Sequence, residues 1–182
     1  SAMETALQEA HPELDLKQFR HWYEQAGTPE VLASWKQANG QLALTLKQNC
    51  RPTPGQASKP AFHIPVKLGF VDTASGQDMP LVLENHANAL HGDVLDFTET
   101  AQTFVFTGLN KPVVPSLLRG FSAPVVLQTA HNTDDLIFLA GHDNDPFNRW
   151  DACQKVYGKA ILDIYQQSGQ TDGANTRAAV QI

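Results

Sequence analysis

The sequence predicts a mainly β fold, a sandwich set between two helices, and three observations carry that prediction. Apolar residues alternate with period two through the middle of the chain, turn residues interrupt that region at short intervals, and helical periodicity is confined to the two ends. At the N-terminal end, Leu16, Phe19, Tyr23 and Ala26 recur at helical spacing. Asp15 can cap that helix, Gly27 can take the left-handed conformation that ends it, and Pro29 prevents it from resuming. A first strand is expected over Glu30 to Trp35 and a second over Gln41 to Gln48, where Leu42, Leu44 and Leu46 alternate with Ala43, Thr45 and Lys47. Asn39-Gly40 between them is the dipeptide that most readily accepts the positive φ angles of a tight hairpin turn.

After a loop carrying Pro52 and Pro54, alternation returns with Phe62, Ile64, Val66, Leu68 and Phe70 on one face. Pro65 has no amide hydrogen, which pushes this strand toward an edge or a bulge. Shorter strands are expected over Met79 to Leu83, Val94 to Phe97, Thr103 to Phe106, Phe121 to Thr129 and Leu136 to Ala140. About eight short strands within roughly a hundred residues is the pattern of an immunoglobulin-like sandwich. Asp145-Pro146 then opens a helix, with Asp as N-cap and Pro at the first helical position. Phe147, Trp150, Tyr157, Ile161 and Ile164 follow at helical spacing. One helix cannot bury its own stripe, so the Trp150 face is expected to pack partly on the sandwich and otherwise on helices of a further domain.

Composition limits the functions available. The chain has 182 residues, 42% hydrophobic and 18% charged, with a net charge of −6. An acidic balance opposes a phosphate backbone as partner, so no nucleic acid is expected. No apolar run approaches the roughly 20 residues that span a bilayer, so no membrane is expected either. Cys50 and Cys153 are the only cysteines and form no C-x-x-C pair, which fits reduced thiols in the cytoplasm. Gly120-Phe121-Ser122-Ala123-Pro124 ends in Pro and so misses the G-x-S-x-G nucleophile elbow. The acidic loops 131–135 and 141–145 read as a hairpin turn and a helix cap rather than as calcium sites. His86 and His91 read as solvated side chains.

Two segments carry a family resemblance: 15–29, read Asp-Leu-Lys-Gln-Phe-Arg-His-Trp-Tyr-Glu-Gln-Ala-Gly-Thr-Pro, and 144–152, read Asn-Asp-Pro-Phe-Asn-Arg-Trp-Asp-Ala. With Phe121-Ser122-Ala123-Pro124-Val125, Phe104-Val105-Phe106 and His63-Ile64-Pro65 between them, they resemble, in the right order, bacterial aminopeptidase N, a family of zinc metallopeptidases. The resemblance implies three pieces: 1–27 as the terminal helical segment of a catalytic domain, 28–143 as the β-sandwich, and 144–182 as the first helix of a helical C-terminal domain. It further implies that the intact enzyme removes N-terminal residues from peptides with zinc-activated water. This segment would lack catalytic, metal and cofactor residues and meet peptide substrate only through the parent.

Such enzymes hold zinc with two His four apart on a helix, a neighbouring Glu as general base and a downstream Glu as third ligand. The histidines here are His11, His21, His63, His86, His91, His131 and His142, and no two stand four apart. Leu83-Glu84-Asn85 shares Glu-Asn with the family's Gly-x-Met-Glu-Asn substrate motif but lacks its glycine and reads as a strand end followed by a polar turn. The expected contacts with neighbouring domains are Phe19, Arg20, Trp22, Tyr23, Phe147, Arg149 and Trp150, with Arg20 and Arg149 placed to stack on adjacent aromatic surfaces. The expected partners are the catalytic and C-terminal helical domains of the same parent chain. The alternative is an independent immunoglobulin-like protein-binding module, which would place its apolar patch on sheet or loop surface.

Overall fold

The computed structural model describes residues 16–176 together with Thr5 and Glu9. It forms two sheets packed face to face, followed by a helical pair. After α1 (His21–Glu24) come β1 (Glu30–Ala38), β2 (Gln41–Asn49), β3 (Ile64–Asp72), β4 (Asp78–Met79), β5 (Leu90–His91), β6 (Val94–Phe97), β7 (Ala101–Phe106), β8 (Val113–Leu117) and β9 (Val126–Thr129), then α2 (Thr133–His142) and α3 (Pro146–Thr176). One sheet has the order β7-β2-β1-β9; in the other, β4-β3-β6-β5, strand β8 also pairs with β3. The expected immunoglobulin-like sandwich is therefore present, flanked by helix at both ends.

The β1–β2 hairpin turns at Asn39 and Gly40, with φ of +51° and +73°. Two consecutive positive values are what a type I′ turn requires, and its twist matches the flanking strands. Leu42, Leu44 and Leu46 point inward against Ile64, Val66, Leu68 and Phe70, and Phe97, Phe104 and Phe106 fill the space between the sheets. Phe70 meets Phe106 edge-on at 4.8 Å. Buried Gln48 fastens one end of this core. Its amide donates to the carbonyls of Phe62 and Glu99, and its oxygen accepts from Phe62 N–H at 2.7 Å. Over Ile64–Lys67, β3 pairs with β6, and the Ser122 hydroxyl donates to Pro65 O while accepting from Lys67 N. A side chain there completes the ladder around the proline.

Five expectations change. The strand expected over Met79–Leu83 keeps only Met79, as the last residue of β4. Leu136–Ala140 lies in α2, not in a strand, because Asn132 and Asp135 form a reciprocal capping box: Asp135 N donates to Asn132 Oδ1 at 2.8 Å and Asn132 N to Asp135 Oδ2 at 3.0 Å. The loop read as a hairpin turn is thus a helix start. β8 was not expected; its five residues are all buried, so they lack an alternating pattern, and Pro115 argues against a strand. The strand expected over Phe121–Thr129 shortens to β9, since Arg119–Phe121 forms a 3-10 turn. Among the residues described from Leu16 onward, the helix expected before Gly27 is α1, one turn long, with Asp15 outside the described residues and Ala26 beyond the helix end.

Candidate functional site

Two of the buried charged residues among those described, Arg119 and Asp143, meet at the seam where the sandwich joins α2 and α3. β8 ends at Leu117, and Leu118 at φ +56° turns the chain so that Arg119 folds back over β3. The guanidinium lies across Gly69; a Cβ there would stand 2.1 Å from Arg119 Nη1, so the strand needs glycine at this point. Arg119 is 6% exposed. It grips Asp78 with both terminal nitrogens at 2.8 Å, reaches Asp143 Oδ1 at 3.0 Å, and donates from Nε to Ser116 Oγ at 3.0 Å. Burial alone would lower the Arg119 pKa, but the hydrogen bond to Asp78 and the charges of Asp143 and Asp78 outweigh it and raise it. The hydrogen bond from Arg119 likewise holds the Asp78 carboxyl below its ordinary range.

The helices join this network through their caps. Asp143, buried between α2 and α3, accepts from the Ser116 hydroxyl and from Asp145 N–H. Asp145 caps α3 by accepting from Asn148 N–H, as its position before Pro146 predicts, and its second oxygen accepts from Gly120 N–H on the sandwich. Asn148 donates to Ser116 Oγ and Leu117 O, while Asn144 donates to Asp78. Strand, turn and both helix termini therefore share one set of hydrogen bonds. Val71, Val114, Leu139 and Ala152 form a small apolar cluster at the same seam.

His131 sits at one side of it. Its Nε2 donates to Pro115 O at 2.7 Å, Nδ1 faces Thr129 Oγ1 at 2.8 Å, and the ring lies 4.6 Å from Trp35. Because a carbonyl can only accept, Nε2 carries the proton in the neutral ring. Burial lowers the His131 pKa, ahead of the opposing effects of the Pro115 hydrogen bond and Asp135. The cavity bounded by Ser116, Thr129, His131, Asn148 and Lys155 has a volume of about 30 Å³. That is room for a single water molecule and none for a peptide residue.

The residues expected at domain borders divide. Trp22 is an anchor: its ring packs on Phe62 at 4.7 Å and Nε1 donates to His63 O at 2.9 Å. His21 and Gln18 also donate to the carbonyl of Ala61. Phe19 and Tyr23 meet edge-on at 5.9 Å on the exposed side, with Tyr23 69% exposed, and Arg20 is exposed. The expected stripe of Leu16, Phe19, Tyr23 and Ala26 is thus displaced by Trp22, whose large ring and N–H both find partners in the sandwich. Arg149 donates to the Asp143 carbonyl at 3.0 Å. Phe147 touches Phe121 and Trp150, and Trp150 is 56% exposed.

Arg119, Asp78, Asp143, Ser116 and Asn148 were not anticipated as a group. Asp78 and Arg119 are 41 residues apart and meet only because β4 and β8 both flank β3. His91 is largely exposed, as expected, and it and His63 approach the two oxygens of Asp96 at 3.2 and 3.0 Å. These imidazoles address different oxygens of one carboxylate. Among the described residues no group of three or more His, Cys, Asp or Glu side chains is placed to hold a metal ion. Leu83-Glu84-Asn85 lies along β7, where Glu84 N donates to Val105 O and the Asn85 amide exchanges hydrogen bonds with Thr103 O and Val105 N. Cys50 and Cys153 are not joined. No helix among the described residues is long and apolar enough to cross a membrane.

A two-sheet sandwich locked to a helical pair, with its polar groups spent on the joint, defines an immunoglobulin-like domain with an attached helical segment. The chain belongs to the family described as a domain of unknown function (DUF3458) with an Ig-like fold, whose model matches residues 27–130. A second model, described as DUF3458_C with ARM repeats, matches residues 133–182. Aminopeptidase N of Haemophilus influenzae is 39% identical over 163 residues, covering 88% of this chain and 18% of that protein. Aminopeptidase N of Escherichia coli is 38% identical over 150 residues, covering 81% and 17%. This chain therefore spans less than a fifth of the length of either relative. A crystal structure of Legionella pneumophila aminopeptidase A in complex with aspartic acid shares the fold at a TM-score of 0.69 and 24% identity, covering 88% of this chain and 17% of that one.

Proposed function

We propose that this chain is a non-catalytic segment of a longer cytoplasmic peptidase of the aminopeptidase N type, and that it holds a catalytic domain and a helical domain at a fixed separation. The observation that carries this reading is the Arg119 joint, in which one buried guanidinium ties β3, β4 and the α2–α3 corner together. A joint of directed hydrogen bonds resists bending in a way that a flexible linker does not. The similarity to proteins named aminopeptidase N supports the choice of parent. In such a parent a zinc ion, held by residues outside this segment, would polarise the scissile carbonyl and lower the pKa of bound water, and N-terminal residues would be removed from peptides.

The segment before Gly27 would end the catalytic domain, and the helical domain would begin with α2, which packs on α3. The distribution of exposed apolar surface favours this over an independent binding module. Phe147, Trp150, Tyr157, Ile161, Leu162, Ile164 and Tyr165 stand exposed on α3, whereas the strands and loops of the sandwich expose Leu32, Val82, Phe121 and Val126. The test is a pair of assays with zinc and an aminoacyl chromogenic substrate. The 182-residue chain should give no turnover, and the full-length protein encoded by the same gene should give it. Zinc-dependent turnover by a clean preparation of the short chain would overturn the reading.

A further inference from the structure

β9 ends at Thr129 and α2 begins at Thr133, so residues 130–132 carry the chain from the sandwich into the helical pair. Ala130 N–H still donates to Ala33 O of β1, and Asn132 already caps α2, which leaves His131 as the residue between sheet and helix. Its side chain turns back onto three strands of the sandwich, to Pro115 O of β8, Thr129 Oγ1 of β9 and the Trp35 ring of β1. The two ends of α2, about 15 Å apart for ten residues, are therefore fixed by different chemistry. At the Asp143 end the tie runs through Arg119 and Asp78, whose pKa values are raised and lowered respectively, so both stay charged in neutral and mildly acidic solution. At the Asn132 end the tie is an imidazole, the side chain whose charge changes between about pH 5 and 8.

We propose that His131 is a pH-operated latch: the neutral ring pins the first turn of α2 to the sandwich, and proton uptake lets that end swing about the Arg119 corner. The neutral ring suits its site, since Nε2 donates to Pro115 O and Nδ1 can accept from the Thr129 hydroxyl. An imidazolium carries hydrogen on both nitrogens, so that hydroxyl has to reverse. Among the charged groups facing the ring, Asp135 on α2 and Asp143 at the corner favour protonation, and Lys155 on α3 opposes it. Asp151, which borders the same cavity, is paired with Lys155 at 2.7 Å. Burial outweighs the two carboxylates, so the closed latch holds a proton more weakly than an imidazole in water does. Protonation therefore favours whichever arrangement brings the ring into solvent. The void of about 30 Å³ beside His131 leaves part of its surface unpacked, and the charged corner stays tied, so the Asn132 end is the one that moves. This latch belongs to the chain itself and does not depend on the peptidase reading.

Hydrogen–deuterium exchange of the 182-residue chain at pH 7.5 and pH 5.0, with rates corrected for the intrinsic effect of pH, tests it. Amides of 127–137 should lose protection roughly threefold or more at the lower pH, while those of 139–149 should stay within roughly twofold. His131→Gln keeps an N–H donor but cannot titrate, so protection of 127–137 should become the same at both pH values, with circular dichroism as a check on folding. Lys155→Met removes the cation that opposes protonation and should shrink the loss; it decides the matter if His131→Gln does not fold. Protection unchanged by pH in the unsubstituted chain, a loss undiminished in either variant, or an equal loss at both ends of α2 would each overturn the proposal.

Discussion

Arg119 sits between two carboxylates, and the arrangement holds only while all three partners are present. Arg119→Met removes the cation and leaves Asp143 buried with an uncompensated charge, which should lower stability by about 3–5 kcal/mol in urea unfolding. Nothing about Arg119 stands out in the sequence. Its importance comes from Gly69 and Asp78, both distant in sequence. His131 behaves differently because burial favours its neutral form. Its folded pKa lies below the unfolded value of about 6.5, so the stability it contributes is complete above that pH and is lost as pH falls through the interval beneath it. Carboxylates act lower down. Asp72, held at about 2 by hydrogen bonds from Ala74 N–H, Ser75 and Lys111, keeps its contribution above its ordinary range and loses it as pH falls toward that value. Urea midpoints measured between about pH 7.5 and 5 should therefore decline, and His131→Gln should flatten that decline.

Among the elements, α2 was the largest misreading and its cause is instructive. Leu136-Ile137-Phe138-Leu139-Ala140 is a continuous apolar run, which periodicity cannot divide between helix and strand. The deciding signal lay outside it, in Asn132 and in the acidic residues Asp134 and Asp135 of the first turn. Asn132→Ala should cost about 1 kcal/mol in thermal or urea unfolding, with a visible loss of helical signal, because the cap is half of a reciprocal pair. β8 failed for the opposite reason: a strand buried on both faces shows no alternation, and Pro115 disguised it further. β2 and β3 were legible because each keeps a regular apolar face, with Leu42, Leu44 and Leu46 on one and Ile64, Val66 and Leu68 on the other. Gly69 could be read only as a weak point in a strand. With Arg119 in place it is a steric requirement, and Gly69→Ala should disturb the joint about as much as loss of the guanidinium does.

At the scale of the whole molecule, the sandwich and the helical pair are one folding unit, since the Arg119 network and the Val71, Val114, Leu139 and Ala152 cluster span their border. Tryptophan fluorescence and far-ultraviolet circular dichroism should report a single coincident urea transition, whereas Arg119→Met should separate them. The family resemblance was legible from short local segments at the borders, because those segments keep their residue order and type without reference to what they touch. What the chain determined locally was the β character of its centre, the Asn39-Gly40 turn, the Asp145-Pro146 helix start and the lack of helical zinc-ligand spacing among its histidines. Period and turn chemistry act over a few residues and are written in the order of the chain. The tertiary structure alone decided that Trp22 rather than Phe19 or Tyr23 anchors the N-terminal turn, and that Asp78, Arg119 and Asp143 meet. Those outcomes depend on which strands lie side by side, and pairing across tens of residues leaves no mark in local pattern.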